Sequence, residues 1–227
     1  MLGYDMLPAN RQLLLDLQFR EYSGLSAFDH SKAHHELTLH GTPVWRQLPN
    51  DLDYLDFEAG NPDWLDCPAG ATADLDFTAG AFTLALWLNC ESVGFRYLMC
   101  RGLTDTDGWE WAVDPNSALG FRSNQAGAHQ GTTSANGVVT IGAWRFLAMT
   151  RSGAVVRPYV DGVARLGTAG THINPLTSAR ELHVGIADSE AAGFLDGAIW
   201  RPRIWARALM AQEIARIFNA ERGLFGV

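Results

Sequence analysis

Short apolar runs separated by Gly, Asp, Asn and Pro recur along the chain, and each reads as a strand bounded by turns. The pattern predicts strands over residues 13–19, 53–57, 64–67, 82–89, 95–101, 109–113, 119–123, 144–151, 157–160, 163–167, 181–186 and 198–205. Strands this short and this regularly punctuated build sandwiches or barrels. The run FTLALWLN sets Phe82, Leu84, Leu86 and Leu88 against Thr83, Ala85, Trp87 and Asn89. Both sets are largely apolar, so a central strand covered on both faces is expected. One segment, 211–222, has a helical period instead: Ile214, Ile217 and Phe218 fall at i, i+3 and i+4. Gly223 suits the left-handed position that ends a helix, and Leu224 can supply the hydrophobic contact after it. Neither a repeat nor a linker divides the sequence, so the expectation is an N-terminal arm over 1–12 and a single domain over 13–227.

Composition narrows this picture. A chain of 227 residues, 47% hydrophobic and 19% charged, has a globular composition and the length of one large all-β domain. Every apolar stretch is far short of the ~20 residues that span a bilayer, so membrane insertion is not expected. The opening MLGYDMLPANRQ lacks a basic region followed by an apolar one, so a secretory signal is not expected either. A net charge of −8 without a Lys/Arg block repels a phosphate backbone, which argues against nucleic acid as a partner. Cys67, Cys90 and Cys100 lack metal-ligand spacing. Cys90 and Cys100 could meet across neighbouring strands, although isolated reduced thiols are the simpler reading.

The stretch VRPYVDGVARLG holds Asp161 and Gly162 between Val160 and Val163, the spacing of a two-residue hairpin in which both central residues take φ > 0. Asp161 therefore reads as a turn residue before it reads as a catalyst. Pro158 cannot donate to a ladder, which places the hairpin at an edge or bulge, and its exposed tip would be a place to meet a partner.

Specific motifs accumulate toward the C-terminus. Phe194-Leu-Asp-Gly-Ala-Ile-Trp-Arg-Pro-Arg-Ile-Trp-Ala-Arg-Ala-Leu209, followed by Gln212-Glu213-Ile214, resembles the closing motif of laminin G-like domains in the concanavalin A-like lectin/glucanase superfamily. Phe82–Trp87, Trp144–Arg151 and Tyr159-Val-Asp-Gly162 resemble further strands of that family, and 13–19 with Ser23, Gly24 and Asp29 its opening. The resemblance spans about residues 13–225. It implies an all-β, two-sheet antiparallel jelly-roll sandwich with adjacent first and last strands and one short C-terminal helix. Two departures stand out: Trp200 occupies a position usually held by Asp, and Met210 one where Ser would cap the helix.

The superfamily includes glucanases, so a pair of carboxylates must be looked for. The nearest approach is Glu110-Trp-Ala-Val-Asp114, in which the middle carboxylate is missing. A four-residue offset spans roughly 13 Å along a strand, against about 5–5.5 Å for retaining and about 6.5–9.5 Å for inverting chemistry. Asp114 also begins a turn sequence, Asp-Pro-Asn-Ser. His30, His34, His35 and His40 lie in DHSKAHHELTLH beside Asp29 and Ser31, but no nucleophile elbow accompanies them, and the segment reads as a polar surface loop. Family members often bind calcium at rim loops; Asp105 and Asp107, just before Gly108, are the candidate ligands, with solvated turn residues as the alternative. No cofactor is required, and calcium stays open. Among the eight tryptophans, Trp87, Trp144 and Trp205 match core positions, and Trp109 and Trp111 share a face opposite Glu110. Trp45 and Trp64 adjoin loops and are the candidates for stacking on a sugar.

These readings converge on a non-enzymatic recognition or structural module. The resemblance implies a virion-associated accessory or adhesion protein, such as a phage capsid decoration, fibre or tail component, with protein-assembly partners and self-association. The alternative is a free-standing carbohydrate-binding lectin, calcium-assisted, that meets a cell-surface glycan; a glycoside hydrolase ranks third.

Overall fold

Alternation along the strands decides which side chains face inward, and two sheets close over them. The computed structural model describes residues 8–173 and 175–227, so most of the arm expected over 1–12 lies outside the described residues. In chain order the strands are β1 (Leu13–Asp16), β2 (Ser26–Phe28), β3 (Glu36–His40), β4 (Val44–Gln47), β5 (Asp53–Phe57), β6 (Trp64–Cys67), β7 (Phe82–Cys90) and β8 (Arg96–Leu103). There follow β9 (Asp107–Val113), β10 (Leu119–Gln125), β11 (Ala128–Thr133), β12 (Trp144–Ser152), β13 (Val155–Val160), β14 (Val163–Ala164), β15 (Leu182–Val184) and β16 (Gly197–Trp205), then the helix α1 (Ala211–Glu221). The first sheet runs β14-β13-β12-β7-β16-β5-β4, with β1 also on β16; the second runs β11-β10-β9-β8-β15-β6-β3-β2. The pairings are antiparallel, and β1 against β16 brings the first and last strands together, as the sandwich requires.

Between the sheets lie Leu84, Leu86 and Leu88 of β7, Trp109, Trp111 and Val113 of β9, Leu119 and Phe121 of β10, and Leu147 and Met149 of β12. The other face of β7 is apolar for a different reason. Ala85 and Trp87 join Phe146, Trp200 and Trp205 in a second cluster that Ile214 and Ile217 of α1 cover. Burial of this kind contributes about 1.5–3 kcal/mol per large side chain. Trp200 thus replaces a usual Asp with a ring packed beneath the chain end, edge-on to Phe225 at 5.5 Å.

Several expected boundaries move. Strands β3, β4 and β11 carry too many polar residues to announce themselves, β2 is only three residues long, and the 163–167 and 181–186 strands shorten to Val163–Ala164 and Leu182–Val184. The opening strand stops at Asp16 rather than 19, and Phe19 turns with φ +53°. Beyond α1 the backbone tightens into a 3₁₀ turn over Arg222–Phe225, so the left-handed glycine is Gly226 (φ +70°), not Gly223. Met210 is the N-cap residue but its side chain contributes no hydroxyl; Glu213 reaches back to accept the Met210 N–H at 2.9 Å.

The segment 29–40 corrects another expectation. It is not a solvated loop: Asp29, Ser31 and His35 are buried, and the segment runs into β3. Asp29 accepts from His35 Nδ1 (2.8 Å), the Ser31 hydroxyl (2.6 Å) and the N–H groups of Asp16 and Ser31 (2.8 Å each). His35 Nε2 lies 3.1 Å from Asp74. Burial disfavours the imidazolium, but the bonds to both carboxylates and their charges outweigh it and lift the His35 pKa to about 9. Because the Ser31 hydroxyl has Asp29 and the Leu14 carbonyl as its acceptors in reach rather than His35, the three residues form a clasp and not a nucleophile triad.

Candidate ligand groove on the outer face of the second sheet

On β9 the inward set is Trp109, Trp111 and Val113, which leaves Glu110 and Ala112 facing out. On β10 the same rule sends Arg122 and Asn124 outward beside Gly120, and Glu110 and Arg122 are direct cross-strand neighbours. A register shift in β8 between Tyr97 and Met99 puts Leu98 and Met99 both in the core and turns Tyr97 and Cys100 outward. Two adjoining hollows of ≈ 180 Å³ and ≈ 280 Å³ open here, sharing Phe95, Tyr97, Glu110 and Arg122, and Gly120 and Gly131, which supply no bulk, line the first.

The hollows have an apolar wall and a charged floor. Phe95 is 52% exposed, and the Arg122 guanidinium sits 5.6 Å from its ring centre. Glu110 is 2% exposed and accepts from the Thr104 hydroxyl at 2.8 and 2.9 Å and from Asn124 Nδ2 at 3.2 Å. Burial, followed by the Glu110 charge, pushes the Tyr97 phenol up to about 12, so it stays a neutral donor. The other carboxylate at the rim, Asp114, accepts from the N–H groups of Asn116 (2.8 Å) and Ala118 (2.9 Å), as its turn sequence implied.

Of the residues singled out in the sequence, Glu110 and Asp114 line this groove, whereas Trp45, Trp64, Asp105, Asp107, Asp161 and Gly162 do not. Trp64 is half-buried on the second sheet, stacked 4.7 Å from His40 and tilted toward Phe194. Trp45 is on β4 of the first sheet, edge-on to Phe19 at 6.0 Å, with its indole N–H donating to the Gly24 carbonyl at 3.1 Å. Asp105 pairs with His129 (2.6 Å) and Asp107 with Arg180 (2.8 Å), so each carboxylate has its own side-chain partner. Neither belongs to the two clusters of potential metal ligands among the described residues, Glu181–His183–Glu190 and Glu58–Glu91–Asp196. Asp161 and Gly162 take φ of +53° and +77°, the expected turn. Their tip is a correction, however: both are half-buried, Asp161 holds Arg145 at 2.7 Å, and Gly162 lies under Ala215 and Phe218 of α1. Cys90 and Cys100 sit on different sheets, and all three thiols are free and buried, with burial holding their pKa values high.

Phe95, Tyr97 and Arg122 escaped the sequence reading. Their shared face depends on the β8 irregularity and on long-range register, and only the alternation around Glu110 pointed toward them.

Comparisons place this geometry among known proteins. A family model described as concanavalin A-like lectin/glucanases superfamily, of the laminin G type, matches residues 67–215. No curated protein matches by sequence. Similar solved structures include the botulinum neurotoxin serotype C1 binding domain (TM-score 0.68, 14% identity) and the binding domain of Paraclostridial Mosquitocidal Protein 1 (0.69, 14%). Another is the binding domain of botulinum neurotoxin DC in complex with SialylT (0.67, 13%). The alignments cover 93%, 92% and 93% of this chain and 52% of each neighbour, so the chain spans about half their length. At such identities the likeness is one of fold.

Proposed function

We propose, for a chain that belongs to the concanavalin A-like lectin/glucanase superfamily, that it is a non-enzymatic recognition module holding a glycan in the groove between Phe95, Glu110 and Arg122. The carrying observation is the juxtaposition of an exposed aromatic ring, a guanidinium and a buried, hydrogen-bonded carboxylate along one concave floor. A ring face suits the apolar face of a sugar, and fixed polar groups suit its hydroxyls. The complex of the neurotoxin DC binding domain with SialylT supports glycan as the ligand class. A hydrolytic reading has less support, because Asp114, the second carboxylate at the groove, is committed to its turn.

A glycan array probed with the parent protein, Phe95→Ala and Arg122→Ala, each with and without a chelator, tests this. Binding by the parent that both variants lose is expected; no glycan binding, or undiminished binding by both variants, would overturn it. Loss with chelator would assign the rim carboxylates Asp105 and Asp107 a calcium-dependent part. We extend the proposal to a place at a virion exterior, as a decoration, fibre, tail or adhesion component, an extension that rests on the family likeness. A monomeric native mass would withdraw that extension and leave a free-standing lectin.

A further inference from the structure

A second cavity, ≈ 480 Å³, lies on the opposite side of the molecule, between Pro8–Asn10, the end of β16 and α1. Its lining includes Arg201, Arg203, Arg207 and Arg216 against the carboxylates Glu213 and Glu221. Four of the chain's 17 Lys and Arg residues therefore meet in one cavity of a protein whose net charge is −8. The backbone causes this concentration. The β16 ladder is irregular between Trp200 and Arg203, with Arg201 at φ +53°, and α1 then brings Arg216 over the same space.

The protein's own acceptors fill Arg201, which Asp16 also holds at 2.9 and 3.2 Å, and Arg207, which donates to Glu213 and to the Arg11 and Pro8 carbonyls, but they do not exhaust Arg203 and Arg216. Glu221 accepts from Arg203 Nη1 (2.7 Å) and Nη2 (2.8 Å), Arg201 Nη1 (3.1 Å) and Trp87 Nε1 (2.9 Å), which occupies both its oxygens. Glu213 is taken by Arg207 and by the Met210 N–H. Arg203 is 4% exposed, yet its Nε has no partner, and a buried charged donor left unmade is costly. Arg216 is exposed, with no hydrogen bond among the described residues. Leu209 and Ile217 give the same cavity an apolar wall.

We propose that this cavity binds a small anion, a carboxylate or phosphate group carried on a short apolar stem. Arg216 holds the anionic oxygens within the field of the other three guanidinium groups, and the stem lies along Leu209 and Ile217. The site is independent of the groove on the second sheet, so either can fail without the other.

Titration calorimetry and thermal unfolding with hexanoate, inorganic phosphate and hexanol, at ionic strength matched with sodium chloride, test the assignment. Hexanoate is expected to bind and raise the melting temperature where hexanol and chloride do not, and to bind more tightly than phosphate; phosphate binding as tightly would overturn the part assigned to the stem. Arg216→Glu, at an exposed position, should weaken hexanoate about tenfold, and Ala220→Trp should block the cavity. An equal response to hexanol or chloride, or hexanoate binding unchanged in both variants, overturns the proposal.

Discussion

The buried Asp29–His35 clasp makes stability depend on pH in a calculable way. His35 has a folded pKa of about 9 against an ordinary 6.5. A group whose pKa is raised by folding stabilises fully below its unfolded value and loses that contribution as pH climbs through the folded one. At about 1.36 kcal/mol per pKa unit, the clasp contributes about 3 kcal/mol below pH 6.5, and less to the extent that water screens the partly exposed Asp74. His172 acts oppositely. It is buried between the Ser123 and Thr132 hydroxyls, 2.9 and 2.8 Å from its two nitrogens, and burial, then the Arg151 charge, depresses its pKa to about 4. Its contribution is present above 6.5 and lost as pH falls toward 4, so stability should peak near pH 6.5. Urea unfolding from pH 5 to 10, on the parent and on His35→Asn, isolates the alkaline limb. The amide keeps a donor near the Nδ1 position but cannot become charged. Between pH 6.5 and 9.5 the parent should lose about 2–3 kcal/mol more than the variant. Parallel curves over that range would refute the argument, since every other titrating group is common to both proteins.

Two further outcomes follow from local geometry. Met210→Ser places a hydroxyl at an N-cap whose backbone is already extended (φ −70°, ψ 153°), and should add about 1 kcal/mol and 2–4 °C to the melting temperature; an unchanged or lower value would place the helix start elsewhere. Gly162→Ala puts a Cβ at φ +77° and 3.1–3.2 Å from Ala215 and Phe218, so chemical denaturation should show a loss of about 1–3 kcal/mol. An equally stable variant would mean that α1 does not rest on the hairpin.

How far the sequence could be read depended on the range of the interactions involved. The Phe82–Cys90 strand was legible because both its faces are apolar, and each has an observed reason: the intersheet core on one side and the α1 cluster on the other. The Asp161-Gly162 turn was legible because positive φ at two successive residues restricts residue type locally. Strand β3 was not, because Glu36, Thr38 and His40 alternate with only two buried leucines, Leu37 and Leu39, and the polar set masks a short period. The burial of His35 was equally hidden, for it depends on Asp74, 39 residues away, and on an Asp29 already folded against Asp16.

The same distinction explains why architecture outran site in the sequence. Trp45 and Trp64 drew attention as aromatic residues near loops, yet they lie on different sheets and each is engaged by neighbouring groups. Phe95 was passed over as the first residue of a predicted strand, although the actual strand begins at Arg96 and leaves that ring 52% exposed. A one-residue irregularity such as that between Tyr97 and Met99 reverses the side on which the side chains beyond it are expected, so a binding face assembled from four strands is far more sensitive to register than the sandwich that carries it. Glu110 survived that sensitivity because Trp109 and Trp111 flank it, and two large apolar neighbours on one strand force the residue between them to the opposite face.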